Sequence, residues 1–201
     1  MTRFQELEAR IAALSSEVER GAAFEVVAEG WFATQPVAQA RHVWPADSPP
    51  ISLQEKLQLP LRDMGVDGIV ETKTDELFCY QAKFRRGRPA LTWTDLATFF
   101  GLTDSGNGRM VFTNCDDISE VAEQRPAALF VRGSDLDRLT ADDLRLIEAW
   151  IAGASIRRTR KSPLPHQTKA VERILSGLSR HTRATALMAC GTGKTLISLW
   201  V

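Results

Sequence analysis

The 201 residues are 44% hydrophobic and 25% charged, the proportions of an ordinary globular protein, which excludes a fibrous or mostly disordered chain. Lysine and arginine total 25, and aspartate and glutamate also total 25, so the formal net charge is zero. Any attraction to nucleic acid must therefore come from local basic clusters rather than from a general positive excess. Two such clusters stand at residues 83–88 (KFRRGR) and 157–161 (RRTRK).

The cysteines and the hydropathy pattern indicate the cellular compartment. The three cysteines, at positions 79, 115 and 190, are widely separated and match neither a zinc-site spacing nor a disulfide framework. The first 20 residues carry acidic side chains throughout their apolar pattern, unlike a secretory signal, and no stretch reaches the length of a membrane span. We therefore expect a cytoplasmic protein with no membrane partner.

Apolar periodicity predicts two helices near the N-terminus. The first is indicated by residues at spacings of three and four, which share one helical stripe: Phe4, Leu7, Ile11, Leu14 and Val18. This stripe is too short to argue for a coiled coil, so we expect it to pack against the domain core. Gly21 is predicted to interrupt the pattern, before a second helix with the inner-face residues Phe24, Val27, Ala28 and Trp31.

A β-hairpin is predicted further along the chain. Residues 34–62 are rich in proline, which favours a connection of loop and short helix. Two runs rich in β-forming residues follow, GVDGIV at 65–70 and ELFCYQAKF at 76–84. Because the polar residues 73–75 between them favour a tight turn, the two runs are predicted to pair as a hairpin.

Helices and buried strands are predicted to alternate after the hairpin. Residues 92–102 and 118–124 favour helices. Two short apolar runs, RMVFTN at 109–114 and AALFVR at 127–132, are typical of buried strands. This alternation indicates an α/β domain.

A capped helix is predicted to close this domain. Thr140 and Asp143 form a capping box in front of a helix that ends near Gly153. The next ten residues, 154–163, contain several basic residues and one proline and show little periodicity. We place a linker there.

Three polar residues of the hairpin could form a hydrolytic site. Gln81 and Lys83 are two positions apart on one predicted strand and therefore share a face. Asp67 lies on the preceding strand, close enough across a hairpin to converge with them. A carboxylate, an amide oxygen and an ammonium group could together hold a divalent cation and position a water beside a phosphate.

Structural interpretations of the same residues stay open at this point. Asp67 stands beside Gly68, which is ordinary turn chemistry. Lys83 could open a solvated basic run, and Glu25 could be a solvated helix residue. The residue types alone do not choose between these interpretations and a catalytic one.

The segment RDMGVDGIVETKTDELFCYQAKF, at 62–84, resembles the Mrr-type restriction endonucleases of the PD-(D/E)xK superfamily. In that family an aspartate in a Gly-Val-Asp-Gly turn is followed by a Gln-x-Lys strand. Further similar segments occur in the family's order over roughly residues 20–140: GAAFEVVAEGWF, VFTNCDDISEVAE and ALFVRGSDLDRL. The resemblance implies a metal-dependent nuclease fold.

Roles for individual residues follow from this resemblance. It implies that Asp67 ligates Mg²⁺ or Mn²⁺ and that Gln81 occupies the position of the second acidic ligand. Lys83 is then expected to position the attacking water or to stabilise charge on the phosphate, and Glu25 to touch the metal through water. Because the amide of Gln81 is neutral, metal affinity is expected to depend more on Asp67 and on bound DNA.

The basic run beside this predicted site suits double-stranded DNA. Arg85, Arg86 and Arg88 follow Lys83 directly and are predicted to contact backbone phosphates. A solvated loop is the alternative interpretation of such a run. A homodimer that cuts both strands is a further possible assembly.

The C-terminal residues carry a nucleotide-binding pattern. An apolar run at 184–188 leads into MACGTGKT, whose backbone N–H groups could cradle phosphates. This segment resembles superfamily 2 helicases of type I and related restriction enzymes, and PLPHQTKAVERIL, at 163–175, is similar to their Q-motif. A helix is expected from 165 to 178. The resemblance implies that Gln167 reads the adenine of ATP and that phosphate and magnesium contacts come from Gly191, Thr192, Gly193, Lys194 and Thr195.

The sequence therefore predicts an α/β fold in two parts. Residues 1–153 are expected to form a PD-(D/E)xK nuclease core, a mixed sheet flanked by helices. After the basic linker 154–163, residues 164–201 are expected to form the truncated beginning of a RecA-like helicase domain. Because the rest of such a motor would lie beyond Val201, we expect this chain alone not to hydrolyse ATP at a useful rate.

Three functional hypotheses follow. The leading one is a Mg²⁺-dependent or Mn²⁺-dependent DNA endonuclease that forms the N-terminal part of a restriction or defence nuclease–helicase. The second is a nuclease fold that grips DNA for an ATP-dependent helicase without cutting it. The third is a helicase whose N-terminal domain only docks partners.

Overall fold

The structure is a computed structural model that describes residues 2–59, 65–154, 163–183, 185–189, 194, 197–198 and 201. The chain divides into two compact units, residues 1–156 and 157–201. This division falls inside the segment 154–163 that the sequence suggests as a linker. Each unit is described by itself below.

Two helices open the first unit, α1 over Arg3–Ala12 and α2 over Glu17–Thr34. The break between them lies at residues 13–16 and not at Gly21, which sits inside α2, so the predicted position of the interruption is wrong. Ser16 causes the break: its hydroxyl accepts a hydrogen bond from the Glu19 N–H (3.1 Å), and the Glu19 carboxylate accepts one from the Ser16 N–H (3.1 Å). Val18 is consequently 82% exposed and takes no part in the predicted stripe.

The segment predicted as loop and short helix also contains a strand. After a 3₁₀ turn at Pro36–Ala38, strand β1 spans Ala40–Pro45, and the expected short helix follows as α3 at Ile51–Lys56. β1 is an edge strand, and Pro45 occupies its last position. Edge strands tolerate proline because one row of their N–H groups needs no partner, which is why proline content was a poor guide here.

A five-stranded mixed sheet forms the centre of the unit, in the order β1-β2-β3-β4-β5. β2 (Gly68–Thr72) pairs antiparallel with β1 and with β3 (Leu77–Lys83), which confirms the predicted hairpin. β4 (Gly108–Thr113) runs parallel to β3, and β5 (Ala128–Val131) runs parallel to β4. Strands are therefore present at both predicted runs, but only β4 is buried. The prediction of burial is wrong for β5, because it lies at the edge of the sheet with Leu129 52% exposed.

Helices connect the parallel strands and close the unit. α4 (Trp93–Leu102) and α5 (Glu120–Glu123) lie where helices were predicted, and the short α6 (Gly133–Leu136) was not predicted. α7 spans Ala141–Ile151. Its predicted capping box is present, because the Asp143 N–H donates to the hydroxyl of Thr140 (3.2 Å) and the Thr140 N–H donates to the Asp143 carboxylate (3.1 Å).

Side chains of the sheet alternate between two cores. One core packs α1, α2 and α7 against strand residues that include Tyr80 and Phe112, with rings 4.8–5.8 Å apart around Phe32. The other packs the end of α3 together with α4 and α5 against Cys79 and Val111. The result is a mixed α/β fold in three layers, as the sequence predicts.

The second unit is described mainly by one helix. α8 spans Pro165–Leu178, which agrees with the helix expected from 165 to 178. Most of the predicted phosphate loop lies outside the described residues: of its five predicted contact residues, only Lys194 is described. Among the helices of the described ranges, none combines the length and apolar character needed to cross a membrane.

Candidate functional site

A cleft of about 390 Å³ lies where the end of β3 meets the first half of α2. It brings together side chains from three separate parts of the sequence, because Glu25 lies on α2, Asp67 directly precedes β2, and Lys83 ends β3. Arg85, two residues after Lys83, also lines the cleft, as does Arg86. The geometry therefore assembles five of the seven predicted catalytic and DNA-binding residues in one place, whereas Gln81 and Arg88 do not line the cleft.

Backbone hydrogen bonds on both sides fix Asp67. Its N–H donates to the Tyr80 carbonyl (2.9 Å), and its own carbonyl accepts from the Ala46 N–H (3.1 Å). Its carboxylate oxygen Oδ2 accepts a hydrogen bond from the Ala82 N–H at 2.7 Å. Because Ala82 separates Gln81 from Lys83, this bond holds the carboxylate at the strand segment that carries the other two predicted residues.

Gln81 is the buried member of the set, with only 2% of its surface exposed. Its amide nitrogen Nε2 donates to the carbonyl of Gly65 at 2.5 Å. Its amide oxygen Oε1 is buried, and within the described ranges no hydrogen-bond donor reaches it. A buried acceptor of this kind is uncommon in folded proteins, and a ligand or ordered water is the usual partner.

Lys83 reaches the cleft from a strand end that is itself held in place. The Thr113 hydroxyl donates to the Lys83 carbonyl at 2.8 Å. The side chain is half-buried and lines the cleft, and across the described part of the chain its ammonium forms no ion pair. An ammonium in this position is suited to an anionic group that enters the cleft.

Two carboxylates that were not predicted as site residues, Glu29 and Asp47, lie in the same region as Glu25. Glu29 lies one turn after Glu25 on α2, and its burial, followed by the negative charges of Asp47 and Glu25, raises its pKa to about 7. Burial and the charges of Glu29 and Asp67 also raise the pKa of the Tyr80 hydroxyl. Several carboxylates therefore lie near one another in this region, and a bound cation would reduce the repulsion between them.

The donor set suits a hard divalent cation. Among the described residues no three His, Cys, Asp or Glu side chains lie close enough together to hold a metal ion. An oxygen of another kind could complete such a site together with Asp67, and the Gln81 Oε1, which has no hydrogen-bond partner among the described residues, is a candidate. Oxygen-only ligands are what Mg²⁺ and Mn²⁺ prefer, so the residues present fit the expected metal.

The basic run beyond β3 divides into two parts. Arg85 lines the cleft, and its guanidinium pairs with Asp95 at 2.7 Å. Asn114 holds its backbone from both sides, because Oδ1 accepts from the Arg85 N–H and Nδ2 donates to the Arg85 carbonyl, each at 2.8 Å. Arg86 is exposed beside the cleft, and Arg20 of α2 also lines it. The sequence analysis missed Arg20 because nothing local distinguishes it from other helix arginines.

Arg88 lies apart from the cleft and has a structural function. Its guanidinium is bound by the carboxylates of Glu8 (2.6 Å) and Asp137 (2.8 Å), with 21% of its side chain exposed. These hydrogen bonds raise the pKa of Arg88 further above its ordinary value. The predicted DNA contact by Arg88 is untested, and the geometry gives this residue a different task, which is to hold α1 against the rest of the unit.

The nucleotide-binding residues are only partly described. Gln167 is buried, and its Oε1 accepts a hydrogen bond from the Leu164 N–H (2.9 Å) at the start of α8. Lys194 is exposed, with Nζ 3.4 Å from the Met188 carbonyl. Gly191, Thr192, Gly193 and Thr195 lie outside the described residues. Adenine recognition and phosphate binding by this segment stay predictions.

Comparison with known proteins shows the fold. Protein-family profiles and curated protein sequences give no match. Among solved structures, the chain is similar to the ATP-dependent type ISP restriction-modification enzyme LlaBIII bound to DNA, with a TM-score of 0.70, 19% identity, 100% of this chain covered and 12% of that one. It also matches the MspJI restriction endonuclease in complex with a 27-mer oligonucleotide, with a TM-score of 0.46, 17% identity, and 77% and 37% of the two chains covered.

A third match has lower similarity. It is the DNA modification-dependent restriction endonuclease AspBHI, with a TM-score of 0.34, 13% identity, and 73% and 41% of the chains covered. The TM-score of 0.70 shows that this chain shares its fold with part of a restriction-modification enzyme. The chain spans 12% of the length of that enzyme.

Proposed function

We propose that this chain is a metal-dependent DNA endonuclease that hydrolyses phosphodiester bonds in the cleft between α2 and β3. The observation that carries the proposal is the convergence of Asp67, Lys83 and Glu25 on one cleft. Gln81, two residues before Lys83 on β3, adds a buried oxygen that has no hydrogen-bond partner among the described residues. The restriction-endonuclease-like fold supports it.

Asp67 and Gln81 would hold a Mg²⁺ or Mn²⁺ ion, with Glu25 contributing through water. Such an ion, when bound, lowers the pKa of a water molecule and neutralises charge on a phosphate. Lys83 carries its ammonium into the same cleft, where it would orient the attacking water or stabilise the negative charge that develops on the phosphate. Asp67 is pre-positioned for this task by the Ala82 N–H.

DNA backbone binding is the second part of the proposal. Four cationic side chains line the cleft: Arg20, Lys83, Arg85 and Arg86. They approach it from α2 on one side and from the end of β3 on the other, so a phosphate backbone could pass between them. Binding through such contacts should weaken steeply as salt concentration rises.

We further propose that residues 164–201 form the start of a superfamily 2 ATPase. The agreement of α8 with the helix expected for the Q-motif supports this, as does a fold match that extends over the whole chain to an ATP-dependent restriction enzyme. The nuclease proposal does not depend on it.

Supercoiled-plasmid cleavage with Mg²⁺ or Mn²⁺ tests the proposal. Asp67→Asn keeps an oxygen that can accept from the Ala82 N–H but removes the charge, and Lys83→Ala removes the ammonium. Both should abolish nicking. Lys73→Ala, in the exposed hairpin turn, is the matched control and should cut like the wild type.

Two results would contradict the nuclease proposal. One is nicking that survives both Asp67→Asn and Lys83→Ala, which would indicate a contaminating nuclease. The other is a folded wild-type protein that binds DNA but cuts with neither metal, which would favour the non-cleaving DNA-binding module instead.

A further inference from the structure

The Gln81 side chain is held at one end and unpartnered at the other. Nε2 donates to the Gly65 carbonyl at 2.5 Å, whereas Oε1 is buried without a partner among the described residues. A glutamine amide has one donating end and one accepting end. The hydrogen bond to Gly65 therefore determines which end remains for a ligand.

We propose that Gly65 is a positioning residue, whose carbonyl orients the Gln81 amide with its oxygen free to bind a cation and makes this site require glutamine rather than glutamate. This inference rests on the proposed function in one respect, which is that the ligand of the Gln81 oxygen is a divalent cation. The orientation of the amide and the preference for glutamine follow from the geometry around Gly65 alone.

The preference for glutamine follows from hydrogen-bonding chemistry. An ionised glutamate has two acceptor oxygens and no donor. At position 81 one of those oxygens would face the Gly65 carbonyl, so two acceptors would meet in a place where only 2% of the residue is exposed. Burying such a pair without a donor or a counter-charge is unfavourable, and water cannot replace the lost bond.

The backbone of Gly65 is specialised for this contact. Its φ of +92° is a conformation that residues with a side chain rarely adopt. A Cβ at this position would lie 3.0 Å from the Gln81 nitrogen, closer than such atoms normally approach. An alanine would therefore disturb both the turn and the amide that the turn orients.

A matched pair of Gln→Glu variants tests the preference. Gln39 also donates its amide nitrogen to a backbone carbonyl, that of Pro36 at 2.9 Å, but it is exposed, so water can replace the bond. The measurement is urea unfolding in EDTA. Gln81→Glu should raise the unfolding equilibrium constant roughly ten- to a hundred-fold, whereas Gln39→Glu should raise it by less than about threefold. Equal effects of the two variants would overturn the proposal.

The amide orientation can be observed by ¹⁵N NMR of the whole chain. The two side-chain amide protons of Gln81 are assigned as the signals missing in Gln81→Met. In EDTA they should exchange with solvent at least about tenfold more slowly than the side-chain amide protons of Gln39. Gly65→Ala should remove this protection in a folded protein. Saturating Mg²⁺ should not change this protection, because the metal would bind Oε1 and leave the hydrogen bond from Nε2 to Gly65 intact. If Mg²⁺ removes the protection of the Gln81 side-chain amide from exchange, the amide must rotate away from Gly65 when the metal binds, and the proposal is overturned.

Metal binding separates this inference from the proposed function. Mn²⁺ affinity, measured by equilibrium dialysis without DNA, should fall at least about tenfold in Gly65→Ala and Gln81→Met and remain unchanged in Gln39→Glu. If the wild type neither binds Mn²⁺ nor cuts DNA, the proposed function and the ligand role of Gln81 both fail. The unfolding and amide-exchange measurements made in EDTA involve no metal ion, so in that case they still decide whether Gly65 orients the amide.

Discussion

Replacing Arg88 by methionine tests the structural function of a residue that the sequence alone places in a DNA-binding run. The Arg88 guanidinium donates hydrogen bonds of 2.6–3.1 Å to the carboxylates of Glu8 and Asp137. Methionine retains much of the length of the side chain but leaves both carboxylates without their cation.

The expected loss of stability follows from how far these groups are buried. Exposed ion pairs contribute about 0–1 kcal/mol, and removing one partner of a fully buried pair costs about 3–5 kcal/mol. The three side chains of Arg88, Glu8 and Asp137 are 21%, 15% and 22% exposed, closer to the buried limit. Arg88→Met should therefore reduce the free energy of unfolding by about 2–4 kcal/mol.

Urea unfolding followed by near-ultraviolet circular dichroism measures this effect, with Arg86→Met as the control. Arg86 is exposed beside the cleft, so its replacement should leave stability within about 0.5 kcal/mol and weaken DNA binding instead. The reasoning is refuted if Arg88→Met is as stable as Arg86→Met, or if it lowers DNA affinity while leaving unfolding unchanged.

The pH dependence provides a second check on the same variant. The hydrogen bond from Arg88 is the largest cause that lowers the pKa of Asp137 below its ordinary value of 3.8. A lowered folded-state pKa contributes stability that is present above the ordinary value and is lost as pH falls through the lowered one. The stability difference between wild type and Arg88→Met should therefore narrow below pH 3.8.

Three further predictions concern other parts of the first unit. Because the Glu29 pKa is raised from 4.5 to about 7, the wild type should lose stability as pH rises through this interval, and Glu29→Gln should not; parallel pH profiles of thermal unfolding would contradict this. Ser16→Ala removes the α2 cap and should cost about 1 kcal/mol in urea unfolding, and an unchanged unfolding midpoint would contradict this. Phe112→Ala, fully buried among three aromatic rings, should cost about 3–5 kcal/mol, and a loss below 1 kcal/mol would show that the core differs from the one described.

Local patterns were sufficient to predict much of the fold. The β2–β3 hairpin, α4, α7 and α8 all follow from short-range signals such as a polar turn, a capping box or an apolar period. β1 was missed because an edge strand needs little burial and tolerates prolines at its end. The break before α2 was misplaced because the hydrogen bonds of Ser16 outweigh the apolar period that continues across it.

The site was predictable only where its residues share an element or a familiar motif. Gln81 and Lys83 lie on one strand, so their spacing was informative. The partners of Arg88 are 80 and 49 positions away, and no local pattern identifies Glu8 or Asp137. Glu29 was missed for a related reason, since its raised pKa depends on burial and on Asp47 from another segment.

The charges around the cleft indicate when a metal ion should bind. Of its lining side chains, Arg20, Lys83, Arg85 and Arg86 are cationic, against the three carboxylates Glu17, Glu25 and Asp67. Gln81 adds an oxygen but no charge, so the site offers a cation less electrostatic attraction than a pair of carboxylate ligands would. A DNA phosphate would supply the missing negative charge and would also be drawn to the arginines. We therefore expect Mg²⁺ and DNA to bind cooperatively, each increasing the affinity of the other by the same factor.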